Sequence, residues 1–308
     1  MNKNVVAVCV TFNRLDKLKN TINAFDSQTV PITELVVVDN ASTDSTKEFL
    51  STWVKQIGKY RKKVITLDKN YGGSGGFYRG MEYAGTVVDC DWVYLGDDDA
   101  YLDSKGIEIF QNFEKLDDPK TGLIAGKVLM RGNTAYAARS NFNRSFIHMQ
   151  KVPNTESDYQ KPYCKIDSYT FVGIFIKKEL MLKCGLPEKD YFIWYDDTEY
   201  SLRTYETKSG YKSYLVPSIV IDHDYEYTPN LKYIWKDYYG FRNHLYLLKK
   251  HLPYRYYFAK KIQLKLSARK DKKNGNGVYK LKLDAIKDVK KGKKGISEVY
   301  YPGRKFEQ

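Results

Sequence analysis

Residues 92–99 read Trp-Val-Tyr-Leu-Gly-Asp-Asp-Asp, an apolar run that ends in three consecutive carboxylates. The apolar run, bounded by a glycine, predicts a buried strand. Because adjacent carboxylates at a strand end repel one another unless a cation offsets their charge, Asp97, Asp98 and Asp99 indicate a metal site. Their hard oxygen atoms favour Mg²⁺ or Mn²⁺. The alternative is a polar turn whose acids cap a helix that begins near Ser104. The residues by themselves favour the metal.

The sequence before this stretch alternates between strand and helix patterns. Strands are predicted at residues 5–10, 35–38 and 64–67, and apolar residues at helical spacing lie between them. Such alternation predicts an α/β fold with a mostly parallel sheet and helices on both faces. Ligands of these sheets bind beyond the carboxyl ends of the strands. Four polar segments fall there, at residues 11–14, 39–40, 70–77 and 97–99.

The second half of the chain has a less regular pattern. Residues 123–130 and 170–177 predict strands, whereas residues 133–161 predict a loop or short hairpins. A helix is expected around residues 179–184, and the chain becomes basic and helical after Pro253.

The composition excludes several classes of protein. At 308 residues and 42% hydrophobic content, the chain can bury a sizeable core. Its four cysteines are far apart and form no C-x-x-C pair, so neither a disulfide framework nor structural zinc is expected. A reducing cytoplasm is the simpler location. No signal peptide and no apolar stretch of membrane-spanning length is apparent.

The positive charge is concentrated at the C-terminal end. Residues 249–308 carry 19 Lys and Arg and 5 Asp and Glu. The difference, +14, equals the net charge of the whole chain. The preceding residues are therefore balanced, which argues against a nucleic-acid-binding surface across the protein. The pattern instead indicates one anionic partner of the C-terminal segment.

Two further clusters contain groups that can carry out chemistry. Asp196 and Asp197 follow several aromatic residues, so partial desolvation would raise their basicity and suit proton removal. Alternatively, they begin a helix, and both interpretations can hold together. His223 follows an apolar run and is either a metal ligand or a structural histidine at a strand end.

The glycine-rich segment at residues 70–77 does not fit a dinucleotide-binding motif, because position 78, where G-x-G-x-x-G needs glycine, is tyrosine. The glycines would let the backbone approach a sugar or a diphosphate closely. The other interpretation is a flexible turn.

Four ordered motifs together resemble glycosyltransferase family 2. They are Val-Thr-Phe-Asn-Arg (10–14), Val-Val-Asp-Asn-Ala-Ser-Thr-Asp (37–44), Gly-Asp-Asp-Asp (96–99) and Trp-Tyr-Asp-Asp-Thr-Glu-Tyr (194–200). The glycine segment, Phe-Val-Gly (171–173) and Tyr-Gly-Phe-Arg-Asn (239–243) are similar to segments of the galactofuranosyltransferases, which use UDP-galactofuranose. The resemblance covers residues 5–250, and the ordered set is far more specific than any single motif.

The resemblance implies a GT-A fold, a nucleotide-sugar donor, Mn²⁺ or Mg²⁺, and inversion at the anomeric carbon. It implies that the UDP-sugar donor is bound by Thr11, Asn13, Arg14, Asp39, Asn70, Gly72, Asp97, Asp98, Arg242 and Asn243. It implies that the metal is bound by Asp97, Asp99 and His223, and that the general base is Asp197. The acceptor, a glycan or a lipid-linked glycan, would lie against Trp194, Tyr195, Asp196 and Glu199. A rhamnosyltransferase using dTDP-rhamnose and a non-catalytic polyanion-binding protein are the alternatives.

The chain is expected to divide into a glycosyltransferase domain, residues 1–250, and a basic helical extension, residues 251–308. Within the extension, apolar residues recur at a spacing of four on a basic helix, at Tyr254, Phe258, Ile262 and Leu266. A second apolar stripe runs from Val278 to Val289. Helices of this kind lie on an anionic membrane surface, or pack on the body as a solvated pair. The expected location is the cytoplasm, and it is peripheral on the inner face of the cell membrane if the extension binds the membrane and does not pack on the body.

Overall fold

The computed structural model of the protein describes residues 2–87, 89–207, 210–225 and 234–304. The strands are β1 (Val5–Thr11), β2 (Glu34–Asp39), β3 (Arg61–Thr66), β4 (Trp92–Asp97), β5 (Ala100–Leu102), β6 (Thr121–Met130), β7 (Asn133–Thr134), β8 (Arg139–Arg144), β9 (Met149–Pro153), β10 (Cys164–Lys165), β11 (Ser168–Tyr169), β12 (Ile174–Lys177) and β13 (Lys212–His223). The α-helices are α1 (Leu15–Asp26), α2 (Thr46–Trp53), α3 (Gly72–Thr86), α4 (Gly106–Gln111), α5 (Glu156–Tyr159), α6 (Lys178–Cys184), α7 (Asp196–Glu206), α8 (Trp235–His251), α9 (Tyr254–Lys273) and α10 (Val278–Lys291). Single turns of 3₁₀-helix lie at Tyr136–Ala138 and Lys189–Tyr191.

The central sheet is mixed and mostly parallel. Its strand order is β10-β13-β6-β12-β4-β1-β2-β3. In addition, β5 pairs with β13 and β7 pairs with β6. Along this order of described strands, β12 and β10 run against the other six. Since β1 pairs in parallel with β2 and β4, the carboxyl ends of these three strands meet at one edge. The predicted α/β fold and the common edge are confirmed.

Helices cover both faces of the sheet, which explains why its central strands are apolar throughout. Alternate residues of β1 point to opposite faces: Ala7 packs with Phe25 of α1, and Val8 packs with Met81 of α3. All four side chains are buried. Full burial of a Val, Met or Phe side chain stabilises the fold by roughly 1.5–3 kcal/mol. The sheet is therefore a rigid base for the side chains at its edge.

The glycine-rich segment is part of a helix and not a flexible turn. Gly76 lies in the first turns of α3, where a Cβ atom would stand 2.3 Å from Cγ1 of Val10, so only glycine allows the helix this close to the sheet. Gly72, the first residue of α3, has φ of +72°, which favours glycine. The segment thus packs α3 tightly while its first residues stay at the sheet edge.

Residues 133–161, predicted as a loop or short hairpins, contain the β8–β9 hairpin of a second, three-stranded sheet in the order β11-β8-β9. The strand predicted at 170–177 is shorter than expected, because Gly173 holds φ of +71° just before β12. The helix expected near Ser104 begins at Gly106.

The three C-terminal helices, α8, α9 and α10, pack on one another. The second apolar stripe of the extension is buried, since Leu281, Ala285 and Val289 of α10 face the core. The first stripe is exposed: the side chains of Tyr254, Phe258, Ile262 and Leu266 on α9 are 43–63% accessible. Within the described residues, no helix combines the length and the apolar character that crossing a membrane requires.

Candidate active site

A cavity of about 460 Å³ lies at the carboxyl edge of the central sheet. The predicted site residues that line it are Thr11, Arg14, Asn70, Gly72, Asp97, Asp99, Trp194, Asp196, Asp197 and His223. They come from five separate segments of the chain, which meet because β1, β4 and β13 all end at this edge. The cavity is open to solvent and large enough for part of a nucleotide sugar.

Three of these side chains form a candidate metal centre. Asp97, Asp99 and His223 each offer one ligand atom, and these atoms all lie within 4.8 Å of one another. Burial, and then the charge of Asp99, raises the pKa of Asp97 to about 6. A bound cation would offset this repulsion between carboxylates. Two carboxylates and an imidazole fit Mn²⁺ well, and Mg²⁺ if water completes its shell.

Asp99 also binds the imidazole and a guanidinium. Nε2 of His223 lies 3.3 Å from Oδ1 of Asp99, and Nη1 of Arg14 donates to Oδ2 at 2.6 Å. Burial opposes protonation of His223, but the hydrogen bond to Asp99 and the charges of Asp97 and Asp99 raise its pKa above the ordinary value. The carboxylate of Asp99 therefore attracts both the imidazole of His223 and the guanidinium of Arg14.

Asp98, predicted to contact the donor, faces away from the cavity. Its side chain is fully buried, with Oγ1 of Thr11 donating to Oδ2 at 2.7 Å and Nη2 of Arg14 at 2.7 Å from Oδ1. Asp97 ends β4, and Asp98 and Asp99 lie in the turn that follows, which directs Asp98 away from the cavity while Asp97 and Asp99 line it. It braces Arg14 and Thr11 at the edge of the sheet.

A strained aromatic loop also lines the cavity. Phe192, Trp194 and Tyr195 have φ of +68°, +63° and +70°, a conformation that bulky side chains rarely adopt. Nδ2 of Asn243 lies 2.9 Å from the carbonyls of Tyr191, Ile193 and Trp194. The loop is thus held from behind by one side-chain amide.

Arg242 and Asn243 were predicted at the diphosphate, and the structure places them behind this loop instead. Arg242 is buried and donates to the carbonyls of Tyr191, at 3.0 Å, and Gly295, at 2.7 Å. Nε of Arg242 donates to Oδ1 of Asn243, the other donors of both side chains go to the backbone, and neither residue lines the cavity.

The loop leads directly into α7, whose first turn carries Asp196 and Asp197 at the cavity wall. Oδ1 of Asp197 accepts hydrogen bonds from the backbone and the hydroxyl of Thr198. Burial, and then the charge of Asp197, raises the pKa of Asp196 to about 8, so Asp196 is protonated at neutral pH and can donate a hydrogen bond. The pair thus offers a proton donor beside a carboxylate.

The remaining predicted residues support the site from outside the cavity wall. Tyr195 stacks on His244 with ring centres 4.8 Å apart, and Glu199 is fully buried between Arg203 and His251. Neither reaches an acceptor in this arrangement.

Two predicted donor residues brace the loops at the edge of the sheet. Asn13 bonds to Thr43, and buried Asp39 accepts from the backbone of Ser42. The neighbouring Asn40 lines the cavity and donates to the carbonyl of Gly72 at 2.9 Å.

Lys236 is a cavity residue that the sequence reasoning missed. Its ammonium lies 5.7 Å from the ring centre of Trp235 and 6.0 Å from that of Tyr225, at the side of the cavity that holds Asp99 and His223. Burial lowers its pKa. No motif marks this lysine, since it follows the last recognisable strand on the first turn of α8. Pro302, from the C-terminal extension, also lines the cavity.

This combination of a mostly parallel sheet, an Asp-x-Asp pair with a histidine at its edge, and a helix that brings a carboxylate to the same cavity defines a GT-A glycosyltransferase. The family model for glycosyl transferase family 2 matches residues 6–181, and the chain belongs to that family.

Relatives and a solved structure agree with this assignment. The galactofuranosyltransferase GlfT2 of Mycolicibacterium smegmatis is 26% identical over 271 residues, which cover 80% of this chain and 41% of GlfT2. The dTDP-rhamnosyl transferase RfbF of Shigella flexneri is 28% identical over 231 residues, 72% of this chain and 70% of RfbF. The mannosyltransferase PcManGT of Pyrobaculum calidifontis, solved with GDP-Man and Mn²⁺, has a TM-score of 0.58 at 15% identity and covers 95% of this chain and 75% of its own. The chain spans about two-fifths of the length of GlfT2. The resemblance to galactofuranosyltransferases is confirmed at modest identity.

Proposed function

We propose that this protein transfers galactofuranose from UDP-galactofuranose to a glycan or lipid-linked acceptor, with inversion and with dependence on a divalent cation. The observation that carries the proposal is one cavity lined by two groups of side chains: the Asp97, Asp99 and His223 cluster, its first wall, and Asp197 with Asp196 and Trp194, its second wall. The likeness to GlfT2 over most of the chain supports galactofuranose as the sugar.

The first wall suits the leaving diphosphate. A bound Mn²⁺ or Mg²⁺ would stabilise the negative charge that develops on the diphosphate. Lys236 and Arg14 add two positive charges beside the same cluster. Asn40, Asn70 and Gly73, in the first turn of α3, complete the donor side, where helix N-termini attract anions.

The second wall suits the acceptor. Asp197 takes the proton of the acceptor hydroxyl while that oxygen attacks the anomeric carbon from the face opposite the diphosphate, which inverts the configuration. Asp196 holds a sugar hydroxyl through its proton, and the exposed ring of Trp194 offers a face for a sugar ring. The main contribution of the fold is to align the two substrates.

A rhamnosyltransferase using dTDP-rhamnose is the second candidate, because RfbF matches 72% of this chain. Donor hydrolysis and transfer should be measured with UDP-galactofuranose, UDP-galactopyranose and dTDP-rhamnose in the presence of Mn²⁺. We expect turnover with UDP-galactofuranose that stops in excess chelator and returns with Mn²⁺. Preference for dTDP-rhamnose would replace the proposed donor. Failure to turn over any nucleotide sugar would favour the non-catalytic, polyanion-binding alternative.

The C-terminal extension also supports a proposal for where the enzyme is located in the cell. Its exposed α9 stripe, Tyr254 to Leu266, lies beside Lys265 and Arg269, a pattern that suits an anionic lipid surface. The four cysteines are free, in keeping with a reducing compartment. We therefore place the enzyme in the cytoplasm, peripheral on the inner face of the membrane.

Flotation with vesicles tests this location. The protein should float with vesicles that contain phosphatidylglycerol and remain behind with pure phosphatidylcholine. The double variant Phe258→Ser, Ile262→Ser should lose flotation, whereas Leu182→Ser, at an exposed apolar position on α6, should not. Equal flotation of both variants would contradict the membrane role of α9.

A further inference from the structure

A segment near the C-terminal end of the chain returns to the active site. After α10, residues 295–302, here called the C-terminal strap, lie against α8, and Pro302 at their end lines the active-site cavity. The strap contains neither helix nor strand, so regular secondary structure does not hold it in place. Its position therefore depends on contacts with other elements.

The hydroxyl of Tyr239, on α8, makes two hydrogen bonds to the strap. It accepts from the backbone amide of Ser297 at 2.9 Å and donates to the backbone carbonyl of Tyr300 at 2.6 Å. Tyr239 is fully buried. Loss of this hydroxyl would therefore deprive two backbone groups of the strap of a partner inside the protein.

The ring of Tyr239 packs against residues of the active-site cavity. Its centre lies 5.2 Å from the ring centre of Phe192 and 5.8 Å from that of Trp235, and both of these residues line the cavity. The carbonyl of Phe192 in turn accepts from the backbone amide of Ser74, in the first turn of α3, at 3.2 Å. Tyr239 thus contacts the strap through its hydroxyl and the aromatic loop through its ring.

Arg242 makes a second connection between the strap and the aromatic loop. Nη1 donates to the carbonyl of Gly295 at 2.7 Å, and Nη2 donates to the carbonyl of Tyr191 at 3.0 Å. The backbone amide of Gly295 also donates to the carbonyl of Asp190 at 2.7 Å. The strap and the loop are therefore bound to each other both directly and through one guanidinium.

The strap also packs into the hydrophobic core behind the loop. Tyr300 is 4% exposed, and its ring stacks on that of Tyr238 with centres 4.4 Å apart. Its hydroxyl donates to Oδ2 of Asp284, on α10, at 2.6 Å. Phe192 and Tyr239 belong to the same buried cluster as Tyr300. One core thus supports the strap and the loop together.

These contacts lead to the second wall of the cavity. The hydrogen bonds from the strap to the loop reach the backbone of residues 190–191, and the loop continues directly into Asp196 and Asp197. The metal cluster, in contrast, lies at the ends of β4 and β13. A change in the strap should therefore affect the position of Asp197 more than that of the cluster.

We infer that the C-terminal strap is a positioning part of the active site, which holds Tyr239 and Arg242 against the aromatic loop and so maintains the second wall. This inference rests on the proposed function, because the role of Asp197 toward an acceptor belongs to that proposal. A displacement of about 1 Å between reacting groups is enough to slow a reaction severely, so the strap would contribute to turnover without contacting the reacting atoms.

The inference gives the Tyr-Gly-Phe-Arg-Asn segment (239–243) a task other than binding the diphosphate. Tyr239 and Arg242 join the strap to the loop, and Asn243 binds three carbonyls of the loop. Gly240 lets Trp194 lie close to α8, since a Cβ atom there would stand 3.2 Å from Cε3 of the indole. The segment as a whole thus joins α8 to two parts of the active-site wall.

Amide hydrogen exchange measured by mass spectrometry tests the inference without any substrate. Tyr239→Phe keeps the ring against Phe192 but removes both bonds to the strap. Exchange in residues 191–199 should therefore become about tenfold faster than in the parent protein. Tyr238→Phe is the matched control and should leave this exchange unchanged, because its hydroxyl donates to Asp288 of α10 and not to the strap.

Two results of this experiment would overturn the inference. Equal exchange in Tyr239→Phe and the parent protein would show that the loop keeps its conformation without the strap. An equal acceleration in residues 191–199 and in β1 would show a loss of overall stability and no local role.

A change on the strap itself gives an independent test. Gly295 has φ of +73°, and among the described residues no atom lies within 4 Å of the position of a Cβ, so alanine there strains the backbone without a clash. Gly295→Ala should speed exchange in residues 191–199. Gly275→Ala, with φ of +69° and equally open surroundings between α9 and α10, should not. Equal results for the two variants would refute the role of the strap.

Kinetics separates this inference from the proposed function. With Mn²⁺, Tyr239→Phe should lower turnover of UDP-galactofuranose about tenfold, while the Kd for UDP stays within about twofold of the parent value. A Kd that rises as much as turnover falls would place the effect at the donor and overturn the assignment to the second wall. Absence of turnover in the parent protein would refute the proposed function, whereas hydrogen exchange would still decide whether the strap holds the loop.

Discussion

Nδ2 of Asn243 donates to the carbonyl of Trp194 at 2.9 Å, and Trp194 is held with φ of +63° at the wall of the active site. Backbone strain of this kind costs on the order of 1–3 kcal/mol per residue and persists only where surrounding contacts impose it. Asn243 therefore acts as a positioning residue for the loop that carries Trp194 and leads into Asp196 and Asp197.

We predict that Asn243→Ala lowers turnover more than it lowers affinity for UDP. Loss of the amide leaves buried carbonyls without a donor and should reduce the free energy of unfolding by about 1–3 kcal/mol. The loop can then relax, which displaces Asp197 relative to the donor. Steady-state kinetics with UDP titrations checks this, and Asn112→Ala, at an exposed position on the far side of α4, is the control. A normal turnover number in Asn243→Ala would show that the loop holds its conformation without the clamp.

The common edge of the sheet could be predicted from the sequence, because strand patterns in β1, β2 and β4 are strong and parallel strands end together. The separation of Asp98 from Asp97 and Asp99 could not be predicted from strand alternation, because Asp98 and Asp99 lie in the turn after β4. The roles of Arg242 and Asn243 could not be predicted. Their backbone partners lie about 50 residues away in the chain, and an Arg-Asn pair resembles an anion site equally well.

The C-terminal stripes illustrate a second limit. Both α9 and α10 have an apolar face at helical spacing, and the sequence pattern does not distinguish a face that packs on α8 from one that meets solvent. In the structure α10 buries its stripe, while Phe258 and Ile262 of α9 stay exposed. Which of the two faces is buried depends on how α9 and α10 pack against α8, and that packing is not visible in the spacing of apolar residues.

We predict that Asp99→Asn removes the dependence of UDP binding on Mn²⁺. The parent protein should bind UDP at least about tenfold more tightly with Mn²⁺ than with excess chelator, because a cation held by Asp97 and Asp99 would offset the charge of the diphosphate. The variant should bind UDP equally weakly under both conditions. Calorimetric titration measures this, with Asp222→Asn, an exposed carboxylate beside His223, as control. A Mn²⁺-dependent gain that survives in Asp99→Asn would rule out this residue as a ligand.

We predict that Asp197→Asn abolishes transfer to the acceptor while UDP binding with Mn²⁺ stays within about twofold of the parent value, because general-base catalysis commonly contributes 10²–10⁴-fold. The amide preserves the shape of the side chain but cannot accept the proton. Single-turnover transfer and UDP titration separate the two effects, and Asp190→Asn, exposed at the start of the preceding loop, is the matched control. Weakened UDP binding with unchanged turnover of bound donor would instead assign Asp197 to the donor.

We predict that Lys236→Gln raises the KM for the nucleotide sugar about tenfold and lowers turnover, because a partly desolvated ammonium next to a diphosphate forms a strong charge-assisted contact. The effect should be smaller with the free nucleoside than with UDP, since the lysine would contact only the phosphates. Lys249→Gln, exposed near the end of α8, is the control. Equal losses for nucleoside and UDP would mean that the substitution distorts the whole cavity.

We predict that His244 makes the protein lose stability in mild acid. Its pKa falls from 6.5 to about 3 on folding, because burial and the charges of Lys260 and Lys151 oppose protonation. The unfolded chain therefore binds a proton that the folded chain does not. Stability is fully present above pH 6.5, and the free energy of unfolding decreases as the pH falls from 6.5 toward 3.

Each pH unit in that interval should lower the free energy of unfolding by about 1.4 kcal/mol through this one group. Other acids titrate in the same interval, so the informative quantity is the difference between the parent protein and His244→Gln in urea denaturation from pH 7.5 to pH 5. The variant should lose less stability than the parent, by about 2 kcal/mol at pH 5. His148→Gln, at an exposed position, should follow the parent curve. Parallel curves for parent and His244→Gln would mean that the imidazole is protonated in the folded protein and is not a neutral ring stacked on Tyr195.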